Sequence, residues 1–94
     1  MIDQLVAESG TPTGDLVSKA VYPSGPGGLN GALDIFSKVI DGPIVRKYNE
    51  GVFVGKFPTG GDVVFRAVSS FPSTPVLQLN NVLGFPDILK IHFP

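Results

Sequence analysis

The stretch GVFVGKFPTGGDVVFRAV, residues 51–68, decides how this chain reads. Two runs rich in valine and phenylalanine, 51–57 and 62–68, flank Pro58-Thr59-Gly60-Gly61. Valine is stiff at its first torsion and favours the extended backbone, and a Pro-Thr-Gly-Gly cluster is turn chemistry. The period is two. In the second run Val63 and Phe65 lie on one side, with Val64 and Arg66 on the other. The stretch therefore predicts an antiparallel hairpin with one apolar face.

The same period continues towards the C-terminus. VLQLN (76–80) and DILKIHF (87–93) are two further strands, separated by the irregular segments SSFPSTP (69–75) and NVLGFP (81–86). Towards the N-terminus, PIVRKYN (43–49) is a first extended segment. Before it the period changes to that of a helix. Over about 29–41, Leu29, Leu33, Phe36 and Ile40 recur at helical spacing, and Ala32, Ile35 and Val39 widen the stripe. Asn30 is a candidate cap, and Gly42-Pro43 ends the helix.

PSGPGG (23–28) is the strongest breaker in the chain and reads as a hinge. The arm before it, 1–27, offers two short helices, MIDQLVAES and TPTGDLVSKAVY. The expected fold is α+β, with N-terminal helices packed on one face of a four- to five-stranded antiparallel sheet. The expected organisation is one domain: an arm over 1–27 and a helix-plus-sheet body over 28–94.

Composition narrows the functions. The chain has 94 residues, 43% hydrophobic and 16% charged, which is globular rather than disordered. It has no cysteine, so disulfides, thiol nucleophiles and thiolate metal sites are excluded. One histidine and scattered acids make no metal cluster, and no cofactor is expected. No apolar run reaches the ~18 residues of a membrane span, so no membrane insertion is expected. Glycines 25, 27 and 28 lack a P-loop lysine, and no G-x-S-x-G appears. Net charge is −1, a mild argument against nucleic acid. Residues 46–94, however, hold five cations against three acids.

Alternation sorts the strands into two faces. Val63, Phe65, Leu77, Leu79, Leu89, Ile91 and Phe93 form an apolar set that can pack on the helix. Arg66, Gln78, Lys90 and His92 fall on the other face among small apolar residues. The ordinary reading is a solvated sheet face. The composition of that face departs from it, because no acid lies on the predicted face between Arg66 and His92. Two fixed cations and an imidazole without carboxylates suit a phosphate.

The segments GGDVVFRAVSS, TPVLQL and LKIHF resemble the C-terminal toxin domains of contact-dependent growth inhibition and related polymorphic toxins. Those domains belong to the ribonuclease superfamily of barnase, EndoU, the tRNA-cleaving colicins and RelE. The likeness covers roughly 28–94. It implies an antibacterial endoribonuclease that needs no metal and acts on RNA, tRNA above all. It also implies a chain secreted or delivered from the cell surface, as the C-terminal part of a larger protein, that acts in the cytoplasm of a target cell. The implied partner is a cognate immunity protein, expected to be acidic. Arg66 matches the strand arginine, Ser69 and Ser70 the loop serines, and Lys90 the final-strand lysine. His92 stands where relatives often have arginine, and Thr74 precedes Pro75 where related loops place threonine after proline.

Metal-free RNA cleavage needs a base for the ribose 2′-OH, an acid for the leaving oxygen and positive charge on the phosphorane. His92 is the natural proton-transfer group, as base or acid. Arg66 and Lys90 complete the expected catalytic set. Ser69, Ser70, Thr74 and Gln78 are the expected substrate contacts, and loop capping is the competing role for the hydroxyls. The second proton-transfer group stays open between Lys90, Tyr48 and Asp62. The alternative function is a non-catalytic protein-binding module with a basic sheet face.

Overall fold

The computed structural model describes residues 2–48, 51–68 and 74–94. The order of elements is α1 (Ile2–Glu8), β1 (Lys19–Tyr22), α2 (Gly28–Val39), β2 (Arg46–Tyr48), β3 (Val52–Lys56), β4 (Asp62–Arg66), β5 (Val76–Asn80) and β6 (Ile88–His92). The fold is α+β, and the hairpin read from residues 51–68 is β3–β4, with Phe53 opposite Phe65.

The sheet is larger than expected and mixed. Its order is β1-β6-β5-β4-β3-β2. The run β2 to β6 is antiparallel throughout, as expected, while β1 lies parallel to β6. The helix expected over TPTGDLVSKAVY is thus replaced by a turn and a strand. Leu16 has φ 61° and Gly14 φ 96°, values that no helix accommodates. The Asp15 carboxylate accepts the N–H groups of Val17, Ser18 and Lys19 at 3.0, 2.8 and 2.9 Å. These bonds and the Ser18 hydroxyl hold its pKa down to about 2. The turn aims Lys19–Tyr22 along the free edge of β6, where unpaired backbone groups need partners.

The segment 23–28 is not a hinge, and the arm is not loose. The Gly25 N–H donates to the His92 carbonyl at 2.6 Å. A Cβ on Gly25 would meet Ile91 and Phe93 at 2.7–2.8 Å, so only glycine lets the backbone lie on the last strand there. Ile2 and Leu5 of α1 join the same core as the sheet.

The apolar set read from alternation is the core. Val63, Phe65, Leu77, Leu79, Leu89, Ile91 and Phe93 are all buried in one cluster with Ala32, Phe36 and Val39 of α2. Phe36 sits 5.9 Å from Phe65 and 6.5 Å from Phe53, ring centre to ring centre. The helix is turned relative to its expected stripe. Leu29 and Leu33 are 49% and 41% exposed, and the buried line runs through Ala32, Phe36 and Val39. Gly27, not Asn30, caps it. Gly55 on β3 makes room for Ile40 beyond the helix end.

Candidate functional site on the open sheet face

Register converts the strand residues into rows that cross the sheet. His92 pairs with Val76, Val76 with Arg66, Arg66 with Val52, and Val52 with Tyr48. This first row lies on the face away from the helices. The second row runs Val21, Lys90, Gln78, Val64, Val54, Arg46. The third runs Lys19, Ile88, Asn80, Asp62, Lys56. His92, Lys90, Arg66 and Gln78 therefore share one face, as alternation predicted.

The centre of this face is not wet. His92 is 8% exposed, Val64 7% and Val76 2%. A solvated sheet face would not bury an imidazole. Burial first, then the charge of Lys90, pushes the His92 pKa below its ordinary value. The ring is therefore neutral at pH 7. Its Nδ1 lies 3.0 Å from Thr74 Oγ1. Backbone pairing sets up that contact, because the Phe93 N–H donates to the Pro75 carbonyl at 2.8 Å and brings Thr74 beside β6. Thr74 thus touches the histidine.

Lys90 is half-buried beside His92 on the same strand side. Its pKa is lowered by burial first, then by Lys19 and Arg66. Lys19 is the cation that strand reading missed. The sequence pattern puts it in a helix, and only the parallel pairing of β1 puts it on this face. Valine and tyrosine in KAVY favour a strand, but four residues are too few to overrule the helical reading without the pairing to β6.

Gln78 turns away from His92. Its Nε2 donates to Asn80 Oδ1 at 2.8 Å, towards the third row. Ser69 and Ser70 lie outside the described residues. On the described strands of this face the one carboxylate is Asp62, at the far end of β4 from Arg66 and bonded to Lys56 at 2.9 Å. Tyr48 stands at the far end of the first row, four strand spacings from His92, or about 19 Å. Neither Tyr48 nor Asp62 can reach across one phosphate to His92. Among the described residues no three histidine, aspartate or glutamate side chains gather into a metal-binding group. No helix among them is long and apolar enough to cross a membrane.

Comparison with family models, with curated proteins and with solved structures finds no match for this chain.

Proposed function

We propose that this chain is an endoribonuclease that cleaves RNA by attack of the ribose 2′-OH on the adjacent phosphate, without a metal. The observation that carries the reading is the buried, neutral His92, fixed by Thr74 and flanked by Lys90 and Arg66 on a face where the strands place no carboxylate near it. In the tautomer whose Nδ1–H donates to Thr74 Oγ1, the neutral imidazole keeps Nε2 free as a base. Nε2 takes the 2′-OH proton, and the 2′-oxygen bonds to phosphorus. The bond from phosphorus to the 5′-oxygen breaks, leaving a 2′,3′-cyclic phosphate, and that oxygen takes a proton from an acid.

Lys90 fits the acid. It sits two residues from His92 on the same strand side, about 7 Å along the strand, a span that brackets one phosphate. Its lowered pKa brings an ammonium nearer to donating at neutral pH. Arg66 and Lys19 supply charge to the phosphorane. The likeness to polymorphic toxin domains extends the proposal to tRNA as substrate, to delivery of this chain as part of a larger protein, and to an acidic inhibitor over the cationic face.

The test is total RNA incubated with purified protein in EDTA, with the ends of the products sequenced. Discrete fragments ending in 2′,3′-cyclic phosphate support the proposal. Intact RNA at micromolar protein overturns it and leaves the basic face as a docking surface for an acidic protein.

A further inference from the structure

The cleavage chemistry uses the β5–β6 end of the open face. The β2–β4 end carries a groove of about 630 Å³, of which this chemistry uses only Arg66 at the rim. Its floor is Val52, Val54 and Val64. Three valines beneath a polar rim are what a ligand groove needs, an apolar bed with a few placed polar groups. Tyr48, 53% exposed, forms one wall, and Arg46 Nη1 donates to its hydroxyl at 3.3 Å. Arg66 forms the opposite wall. The Lys56–Asp62 pair closes one end and offers a donor beside an acceptor.

This lining selects its occupant. Among the described residues, three cations against one carboxylate ask for an anion. A valine bed beside an aromatic ring asks for a flat apolar face. A donor–acceptor pair at the end asks for a polar edge. A nucleotide has all three features. The first row also runs into the groove: Arg66 lies midway between His92 and Tyr48, two strand spacings from each. A chain crossing the β-strands along this row passes from the histidine into the groove.

We propose that the groove over β2–β4 is a subsite for one unpaired nucleotide of the RNA strand cut at His92, with its base on the valine floor against Tyr48 and its phosphate on Arg46. The continuity of the strand rests on the ribonuclease reading above, while the nucleotide itself rests on the groove's lining. The subsite makes the protein selective for unpaired RNA, because a base held in a duplex cannot lay its face on the valines.

The experiment uses a 2′-O-methyl tetranucleotide, which binds but has no 2′-OH to attack. Amide shifts of Val52, Val54 and Val64 are followed by NMR, and affinity by calorimetry. The expected result is shifts at the groove as well as around His92, abolished when the oligonucleotide is annealed to its complement. Tyr48→Ala lowers affinity about 5- to 150-fold, the range for stacking one base on an aromatic side chain, and Tyr48→Phe restores it. Should Tyr48→Ala not fold, Arg46→Ala serves, with a loss of affinity and a shallower salt slope. Shifts confined to the His92 end, or full affinity in the folded variants, overturn the subsite while RNA cleavage by the wild type stands. Groove shifts without any RNA cleavage uphold the subsite and overturn the ribonuclease. Absence of binding overturns the subsite, and the ribonuclease falls with it only if total RNA also stays intact.

Discussion

The two faces of the sheet are built by the same strands and differ by one residue of phase. On the helix side, Phe65, Leu77, Leu89 and Ile91 are at most 2% exposed and share one core cluster with Phe36 of α2. On the open side, the neighbours of those residues are Arg66, Gln78, Lys90 and His92. The helix face draws its energy from apolar area removed from water, which tolerates no charge. The open face buries a histidine among valines and sets cations around it, an arrangement that lowers the affinity of His92 and Lys90 for protons. The apolar core and the groups with lowered proton affinity thus lie on opposite sides of one set of strands.

Substitutions on each side break or sharpen this contrast. The largest effect is expected from Phe65→Ala. It removes a ring packed at 5.9 Å from Phe36 and 5.8 Å from Phe53. The expected destabilisation is about 3–5 kcal/mol in chemical denaturation, a large part of what a small domain has. A midpoint that does not move would mean that the helix face is not the core.

Next is His92→Ala, which should lower RNA cleavage about 100-fold or more while the far-UV spectrum stays native. A folded variant with near-full activity would return His92 to a structural role. The pH profile carries the same contrast. Because the folded pKa of His92 is lowered, the base form dominates at neutrality, and cleavage should fall only as pH drops below 6.5. The stability sign follows: the unfolded state binds the proton more readily, so acidification through pH 6.5 destabilises the fold. An acid limb centred above 6.5 would contradict the burial of the ring.

A smaller effect is expected from Arg66→Ala. Loss of one phosphate contact should flatten the salt dependence of single-stranded RNA binding by about 0.7 in the log–log slope. An unchanged slope would make Arg66 a solvated side chain. The smallest effect is at Lys19. Removing a like charge favours protonated Lys90, so Lys19→Ala should move the basic limb of the rate profile upward. The shift is modest because burial, which remains, is the larger cause. A limb that does not move would place Lys19 outside the site.

Much of this was legible from the chain. Period two over 51–68, 76–80 and 87–93 predicts β3 to β6 and sorts every core residue of those strands from Arg66, Lys90 and His92. Side-chain alternation is a local property of the extended backbone, so a linear reading captures it. The rotation of α2 was not legible, because two adjacent helical stripes are both apolar and only the partner surface chooses between them.

Sequence by itself therefore determined the strands, their two faces, the absence of thiol chemistry and the histidine as the one group titrating near neutrality. Tertiary structure alone decided that Lys19–Tyr22 is a strand, that Lys19 joins Lys90, that Thr74 meets His92 and that Arg66 links His92 to the Tyr48 groove. Each of these is a relation between residues far apart in the chain. It depends on strand order, register and the pairing of a free edge, and the backbone groups that set register are the same for every residue type but proline.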